Sequence, residues 1–267
     1  MVDTPPAPSV LDTYEKIAGI YDAVTDVPGY PTWMKIFIDL IEGHGCAGKR
    51  LLDLGCGTGK SSVAFKDLGY EVTGVDISPA MIDIARGKKE MADIEFVVGD
   101  LRRLPGFPVS FDAATAAGEQ FHYLADTAEL RAALESVRGA LRPGGLLVFE
   151  LNTAGTFAAL CAAPAIRRGP GSLAVLDGTA SAPFVPGGGV EVVMDCFTAT
   201  ADGTWERLES RHPHRHFPRD DVAAAVAESG FDLVAVYGIK GGKLHEGLDE
   251  SADLKAFFVA RNTASAQ

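Results

Sequence analysis

Apolar residues follow two alternating patterns between residues 33 and 151. Continuous apolar runs, which predict strands, cover 49–55, 70–78, 94–100, 111–118 and 146–151. Segments in which apolar residues recur every three or four positions predict helices over 33–43, 58–69, 80–90 and 126–141. Because these strands are apolar on both sides, the pattern predicts a mostly parallel sheet with helices on both faces.

Capping and turn residues mark where several of these elements begin and end. Thr32 is the expected N-cap of the first helix, and Ser78 that of the helix over 80–90. Asp126 and Glu129 have the spacing of a capping box at the start of the fourth helix. The segment RPGG, residues 142–145, predicts a turn before the fifth strand.

The pattern changes after residue 151. An Ala-, Gly- and Pro-rich segment is followed by two predicted strands, 190–200 and 204–217, joined at ADG as a hairpin. A helix and two late strands, 232–239 and 255–262, then complete the main sheet, which gives seven strands in all. We therefore expect four segments: an N-terminal helical cover at 1–45, a core at 46–151, an antiparallel lid at 152–217 and a C-terminal completion of the sheet at 218–267.

Composition narrows the class of partner. The chain has 267 residues and a formal net charge of −12, which argues against nucleic acid and anionic membranes as partners. Its apolar runs are much shorter than the roughly 20 residues of a membrane-spanning helix. The N-terminus lacks the pattern of a secretory signal, and the four cysteines lie in or beside apolar runs. We therefore expect a cytoplasmic protein.

Three glycines follow the first predicted strand, where ligands bind at the carboxyl ends of parallel strands. Gly55, Gly57 and Gly59 have the spacing G-x-G-x-G. A dinucleotide fingerprint would need a further glycine at the position of Lys60, and the phosphate-loop pattern is out of register. The loop therefore predicts a ligand that approaches the backbone closely without being held through a pyrophosphate.

Three acidic residues at successive strand ends describe that ligand further. Asp53 would repel a pyrophosphate but attract an ammonium group. Asp76 can accept hydrogen bonds from two ribose hydroxyls, and Asp100 can accept one from the exocyclic amine of a base. The implied ligand has an amino acid end, a ribose and an adenine, with little negative charge.

These segments, in this order, resemble the class I (Rossmann-like) S-adenosylmethionine-dependent methyltransferases over residues 50–151. The segments are LLDLGCGTGK, VTGVDIS, VVGD, FDAATAAGEQF and LRPGGLLVFEL. The resemblance implies S-adenosylmethionine as cofactor and a Rossmann-like α/β fold with a seven-stranded, mostly parallel sheet and an antiparallel lid. It also implies a set of cofactor-binding residues, namely Tyr14, Tyr21, Asp53, Gly55, Cys56, Gly57, Asp76, Ile77, Met81, Gly99, Asp100, Leu101 and Ala117.

The methyl acceptor is expected to be a small molecule. The segment after the fourth strand, AAGEQFHYL, lacks the Pro-Pro motif of DNA amine methylation, and its single glutamate differs from the pair favoured by protein arginine methylation. YDAVTDVPGYPTW and GEQFHYL instead resemble small-molecule methyltransferases of bacterial natural-product pathways, many of which methylate amines. We therefore predict N-methylation of an amine in an antibiotic or other secondary-metabolite pathway.

Candidate catalytic residues lie in the same two segments. By resemblance, Tyr21 lies near the sulfonium, whose charge an aromatic face attracts, and Tyr30 can join the cofactor cover. Phe121 is the expected wall of the acceptor pocket, and Glu119 or His122 can hold or deprotonate the acceptor.

The run RHPHRH near the second lid strand allows two interpretations. On a strand, His212, His214 and His216 share one face and could bind zinc, but a polar lid face over the acceptor is simpler, and we predict no metal. O-methylation with a histidine base, a non-catalytic S-adenosylmethionine-binding protein and an NAD-binding oxidoreductase remain alternatives. The long insertion also offers a surface for homo-oligomerisation.

Overall fold

The computed structural model describes residues 9–25, 29–180 and 183–264, so parts of the predicted N-terminal cover, at 1–8 and 26–28, lie outside the described residues. Within these ranges the α-helices are α1 (Val10–Ile17), α2 (Tyr21–Val24), α3 (Tyr30–Gly43), α4 (Lys60–Asp67), α5 (Pro79–Gly87), α6 (Thr127–Ala140), α7 (Ala154–Ala162) and α8 (Arg219–Glu228). The strands are β1 (Arg50–Leu54), β2 (Glu71–Asp76), β3 (Glu95–Val98), β4 (Phe111–Ala116), β5 (Leu141–Asn152), β6 (Ala165–Gly169), β7 (Ser172–Thr179), β8 (Gly189–Ala199), β9 (Trp205–Arg215), β10 (Phe231–Lys240), β11 (Lys243–Glu246) and β12 (Lys255–Asn262).

The main sheet has the strand order β11-β10-β12-β5-β4-β1-β2-β3. Strands β1 to β5 pair in parallel, while β12 is antiparallel to both β5 and β10. The predicted α/β fold class with a mostly parallel sheet is therefore confirmed. The sheet has eight strands rather than seven, because the chain after β10 turns back and adds the short edge strand β11.

The continuous apolar runs are explained by burial on both faces of this sheet. Leu51 packs with α3, α4 and α5, whereas its neighbour Leu52 packs with α6 and α8 on the other side. Val148 and Phe149 on β5 divide between the faces in the same way. Because successive strand residues point to opposite faces, a strand covered on both sides needs apolar residues at every position.

Two of the predicted helix starts are confirmed and one is wrong. The side chain of Ser78 accepts a hydrogen bond from the N–H of Met81 (3.2 Å), and that of Asp126 accepts one from Glu129 (2.9 Å). The predicted cap at Thr32 is wrong, because the helix begins one turn earlier, at Tyr30. It follows Gly29, whose φ of 86° is accessible to glycine.

The predicted turn at residues 142–145 lies inside strand β5. Phe111 pairs with Leu141 and Ala113 pairs with Leu146, so the RPGG segment forms an irregularity in the strand rather than preceding it. The guanidinium of Arg142 donates to the carboxylate of Asp112 (2.6 Å) and holds this irregularity against β4. Local sequence identifies the turn residues but does not determine the strand pairing around them.

A second, antiparallel sheet, which we call the lid, has the strand order β6-β7-β8-β9. The predicted hairpin is formed by β8 and β9, and β6, β7 and helix α7 occupy the preceding segment whose elements the pattern left undefined. The inner face of the lid packs Met194 and Cys196 with Ile17 of α1 and Met81 of α5. Thr13 of α1 also donates to the carbonyl of Arg211 (2.9 Å), so the lid and the N-terminal helix contact each other.

None of the helices in the described part of the chain combines the length and the apolar character needed to cross a membrane.

Replacing the α6 cap tests the helix start that the sequence predicted. We expect Asp126→Ala to lower the free energy of unfolding by about 1 kcal/mol, because the N–H of Glu129 loses its acceptor. Asp126→Asn keeps an oxygen at this position and should retain most of the stability. Urea unfolding of both variants measures the difference, and equal losses would contradict a capping role.

Candidate active site

A cleft of about 490 Å³ runs along the carboxyl edge of the parallel strands, from β3 through β2, β1 and β4 to β5 and the first residues of β12. Helices α1, α2 and the start of α3 cover it, together with lid strand β6. The predicted site residues that line it are Tyr14, Tyr21, Gly55, Cys56, Gly57, Asp76, Ile77, Gly99, Asp100, Leu101, Ala117 and Glu119, and Tyr30 lines it as well. Four predicted residues, Asp53, Met81, Phe121 and His122, lie elsewhere.

The glycine turn after β1 forms the floor of the cleft. Gly57 has a φ of 54°, and a Cβ built there would lie 3.7 Å from the ring of Tyr21. A side chain at this position would occupy the space between the turn and the tyrosine. Gly59 has a different role, since it lies under Met91 and Phe96 and precedes α4.

Asp76 joins the glycine turn to the end of β2. One carboxylate oxygen accepts the N–H of Gly57 and the other accepts that of Ser78, each at 2.9 Å. Burial raises the pKa of Asp76, although these backbone donors oppose the shift. Each oxygen keeps lone-pair capacity on the cleft side, which suits a pair of hydroxyl groups.

Asp53 lies behind the cleft rather than on its surface. It is fully buried, and the hydroxyls of Ser61 and Ser62 both donate to Oδ2 at 2.6 Å. Burial raises the pKa of Asp53 to about 6, and Oδ1 has no hydrogen-bond partner in the described residues. The carboxylate of Asp53 therefore does not line the cleft, whereas Ser61, one of its two donors, does.

Asp100 lines the cleft, but its carboxylate is already paired. The guanidinium of Arg102 donates to both oxygens, at distances down to 2.6 Å, and Arg102 also binds Glu129. The Arg102 hydrogen bonds lower the pKa of Asp100. An amino group of a base would therefore share this carboxylate with Arg102 instead of being its sole partner.

Met81 also lies outside the cleft. It belongs to α5 and is fully buried against the lid.

The predicted residues that do line the cleft fit the implied cofactor. The turn at Gly57 leaves room for close approach, Asp76 offers acceptors for two hydroxyls, and Tyr21 offers an aromatic face. We therefore propose that the cofactor binds in the part of the cleft over β1, β2 and β3, which we call the cofactor half.

Phe121 and His122 do not face the acceptor as expected. Phe121 is 1% exposed and packs edge-to-face on Phe149 in the core, with 5.0 Å between ring centroids. His122 accepts the N–H of Asn152 at Nε2 (2.8 Å), and its Nδ1 lies 2.8 Å from the carbonyl of Arg215. Burial lowers the pKa of His122 to about 3, so it is neutral and both ring nitrogens are occupied. Neither residue can act as predicted.

The part of the cleft over β4, β5 and β12, which we call the acceptor half, holds a buried ion pair that local sequence does not reveal. Glu150 at the end of β5 accepts from Lys255 at the start of β12 (3.1 Å) and from the indole N–H of Trp33 (2.9 Å). Its carboxylate is 3% exposed and its charge is balanced. Within LLVFEL the glutamate resembled an ordinary strand residue, and only the antiparallel pairing brings Lys255 to it.

Glu119 follows β4 in the same half and is 37% exposed toward the cleft. Asn152 donates to its Oε1 (3.1 Å), and no described residue donates to Oε2, which faces Nε2 of the His214 imidazole at 3.9 Å. Burial opposes ionisation here, yet the facing His214 and Lys255 and the Asn152 amide lower the pKa of Glu119. Glu119 therefore presents an ionised carboxylate with one free oxygen.

Tyr123, which the sequence reading did not select, links the cover, the core and the lid. Its hydroxyl lies 2.9 Å from that of Tyr14 and 2.7 Å from Nδ1 of His212, whose Nε2 lies 2.8 Å from Ser210. Tyr14 and Tyr123 both line the cleft. This hydrogen-bonded chain holds α1 and strand β9 together across the cleft.

His212 and His214 share the inner face of β9 and His216 follows directly after the strand, and the three rings bind separate partners. His212 contacts Tyr123, His216 contacts Glu250 (3.2 Å) and the N–H of Gly187 (3.0 Å), and the rings of His212 and His214 are 6.2 Å apart. Zinc ligands must converge on one ion with nitrogen atoms about 2 Å from it. Across residues 9–25, 29–180 and 183–264, no group of three or more His, Cys, Asp or Glu side chains is arranged to hold a metal ion.

The family model and the relatives that match this chain are methyltransferases. A family described as a methyltransferase domain matches residues 51–145. A putative methyltransferase of a Geobacillus species is 29% identical over 252 residues, which cover 93% of this chain and 99% of the relative.

Two solved structures show the fold. An S-adenosylmethionine-dependent methyltransferase from Clostridium acetobutylicum has a TM-score of 0.76 at 18% identity, with 94% of this chain and 99% of the other covered. CalS10 from Micromonospora echinaspora, an amino pentose methyltransferase involved in calicheamicin biosynthesis, was solved with S-adenosylmethionine bound. It has a TM-score of 0.66 at 23% identity, with 92% and 95% covered.

Asp76 provides the test of the cofactor half. We expect Asp76→Ala to weaken S-adenosylhomocysteine binding by about 1–3 kcal/mol, because buried polar partners lose their acceptor. Isothermal titration calorimetry measures the change. Asp83→Ala, at an exposed position on α5, is the matched control and should bind like the unmodified protein. Equal affinities for all three proteins would rule out the assigned role of Asp76.

Proposed function

Because the chain is a class I S-adenosylmethionine-dependent methyltransferase, we propose that it methylates the nitrogen of a small-molecule amine. When bound, S-adenosylmethionine supplies a methyl group on a positively charged sulfur. Gly57, Asp76 and Tyr21 would hold it in the cofactor half. The protein's main task is then to align the acceptor with that methyl group and to exclude water.

The observation that carries this proposal is the free Oε2 oxygen of Glu119. The carboxylate is ionised, faces the cleft and lacks a described donor at this oxygen. An ammonium or amine N–H can donate to it, and a charged hydrogen bond of this kind contributes roughly 1.5–3 kcal/mol. Glu119 thus supplies what an amine acceptor requires.

The surroundings of Glu119 favour a cation as well. Trp33 lines the same half of the cleft beside Glu150, and aromatic faces attract ammonium groups. The neighbouring carboxylate of Glu150 is neutralised by Lys255 and does not compete for the ligand. An amine therefore finds one unbalanced negative charge and an aromatic wall.

O-methylation is less well supported by the same geometry. A hydroxyl acceptor usually needs a base with a free nitrogen or a metal to remove its proton. His122 has both ring nitrogens engaged, and His212 lies between Tyr123 and Ser210. Within the described residues His214 has a free Nε2, but it does not line the cleft, and Glu119 stands 3.9 Å away on the cleft side. Burial lowers the pKa of His212 to about 4, so it is a weak base.

Size and charge favour a small acceptor. The cleft of about 490 Å³ must hold both cofactor and acceptor, and the lid and cover lie over it. The net charge of −12 favours a small cation over nucleic acid. We place the reaction in an antibiotic or other secondary-metabolite pathway in the cytoplasm, a proposal supported by the likeness to CalS10. Self-association through the lid stays a prediction.

A panel of labelled-methyl transfer reactions tests the proposal. Transfer from labelled S-adenosylmethionine is measured onto alkylamines, aromatic amines and the alcohols or phenols of the same size. We expect product with amines and little with the matched hydroxyl compounds. Preferential transfer to hydroxyls would refute the N-methylation proposal. Binding of S-adenosylhomocysteine without transfer to any acceptor in the panel would favour a non-catalytic binding protein.

Glu119→Gln isolates the carboxylate. We expect it to lower kcat/KM for an alkylamine by about 10- to 100-fold, since the ammonium loses its charged partner while the side chain keeps its shape. Affinity for S-adenosylhomocysteine should stay nearly unchanged. Glu206→Gln, at an exposed position on lid strand β9, is the control for charge removal. Unaltered amine kinetics in Glu119→Gln would show that the acceptor binds elsewhere.

A further inference from the structure

His214 is a buried histidine with an unused ring nitrogen. It lies on the inner face of β9, it is 5% exposed, and its Nε2 has no hydrogen-bond partner in the described residues. That nitrogen lies 3.9 Å from Oε2 of Glu119, the oxygen proposed to receive the acceptor. A buried polar atom without a partner is costly, so its retention beside the cleft calls for a functional explanation.

Among the histidines packed around this position, His214 is the one with a ring nitrogen that no described residue engages. His122 lies 5.8 Å away, ring to ring, and is held neutral by its two hydrogen bonds. Tyr123 packs edge-on at 4.6 Å, and His212, at 6.2 Å, is engaged with Tyr123 and Ser210. Lys255, the remaining charge that acts on His214, is paired with Glu150.

An alkylamine acceptor poses a proton problem that this arrangement can solve. Such an amine is mostly protonated at neutral pH, and the ammonium nitrogen has no lone pair with which to attack a methyl group. Glu119 attracts the ammonium, but the lowered pKa of Glu119 makes it a poor final holder of the proton. Burial lowers the pKa of His214, so its ring is neutral in the resting protein. The facing carboxylate of Glu119 opposes this shift and would stabilise the imidazolium once a proton is taken up.

We propose that His214 is a positioning residue that, through Glu119, takes up the proton that an alkylammonium acceptor must lose before its nitrogen attacks. The ammonium N–H bond breaks, the proton passes by way of the Glu119 carboxylate, and an N–H bond forms on the histidine. The freed amine lone pair then forms the new N–CH₃ bond as the sulfur–methyl bond breaks and its electron pair returns to sulfur.

The products of this sequence balance in charge. Protonated His214 is an imidazolium beside ionised Glu119, and this pairing stabilises both charges in a buried site. The methylated amine leaves as an ammonium ion, and His214 later returns its proton to solvent. Because His214 belongs to lid strand β9, the proton acceptor is present only where the lid meets the end of β4.

The inference rests on the proposed function, and two matched acceptors test it. Single-turnover methylation of a primary alkylamine and of an aromatic amine of similar size is followed against pH in the unmodified protein and in His214→Gln. The aromatic amine is neutral at pH 7 and needs no proton acceptor. We expect His214→Gln to slow alkylamine methylation about 100-fold at pH 7 and to leave the aromatic amine within about twofold.

The pH profile separates this role from a structural one. In His214→Gln the alkylamine rate should rise about tenfold per pH unit toward the acceptor's own pKa, because only the free base can react. In the unmodified protein it should be much flatter. Parallel pH profiles, or equal losses for both acceptors, would overturn the inference. His245→Gln, on strand β11, is the control and should behave like the unmodified protein.

Failure of the variant to fold is checked separately. Binding of S-adenosylhomocysteine reports whether His214→Gln retains the cleft, and His214→Asn is the second variant. If neither binds, the His214 imidazole signal is followed by NMR in the unmodified protein bound to S-adenosylhomocysteine, with benzylamine as the probe. A shift toward the imidazolium position on adding benzylamine supports the inference, and an unchanged signal overturns it.

These outcomes distinguish the inference from the function on which it rests. Transfer to hydroxyl compounds and to no amine would remove the proposed function and this inference together. Amine methylation that is insensitive to His214 would remove the inference alone and leave N-methylation standing.

Discussion

The carboxylate of Asp76 is the contact on which the architecture of the cleft depends. It accepts the N–H of Gly57 and the N–H of Ser78, so one side chain sets the separation between the turn after β1 and the start of α5. Ser78 in turn caps α5 and donates to Glu15 of α1 (2.6 Å). The floor of the cofactor half and part of its cover are thereby connected through one strand end.

Charge balance divides the cleft into parts with different chemistry. In the cofactor half, Asp100 is neutralised by Arg102, and in the acceptor half Glu150 is neutralised by Lys255. Desolvation makes an unpaired charge costly, so paired carboxylates inside the cleft are stabilised by their own partners and attract a ligand weakly. Glu119 differs because one of its oxygens has no protein donor in the described residues. The contrast among these carboxylates, more than their number, gives the site its preference for a cation.

The parts of this protein that the sequence predicted are those whose signal is local. Continuous apolar runs identified β1 to β5 because burial on two faces leaves that signature, and caps such as Ser78 act within three residues of themselves. Strand-end residues such as Asp76 were placed at the cleft because parallel topology dictates where strand ends lie.

The wrong predictions concern residues whose side-chain direction is not determined by the local sequence. Phe121 and His122 belong to a short 3-10 turn after β4, and the sequence around them does not say which side chains of that turn enter the core and which enter the cleft. The structure turns Glu119, Gln120 and Tyr123 to the cleft and buries Phe121 and His122. Glu150 and Lys255 were missed for another reason, since their contact spans 105 positions and exists only through the pairing of β5 with β12.

The spacing of the lid histidines explains why they act separately rather than as one centre. Alternate residues of a strand point to the same face, but they are separated by about 6.6 Å along it, too far for three ring nitrogens of one straight strand to meet at one ion. Each ring therefore contacts what lies beneath its own position, which is Tyr123 for His212, Glu119 for His214 and Glu250 for His216. Strand β9 thus contacts the cover through His212 and the acceptor site through His214, and His216, directly after the strand, binds the loop before β12. Because the contacts of His212 and His214 lie on one strand, a lid displaced from the acceptor would also lose its contact with the cover. The displacement that opens the site to water would therefore also withdraw the proposed proton acceptor, His214.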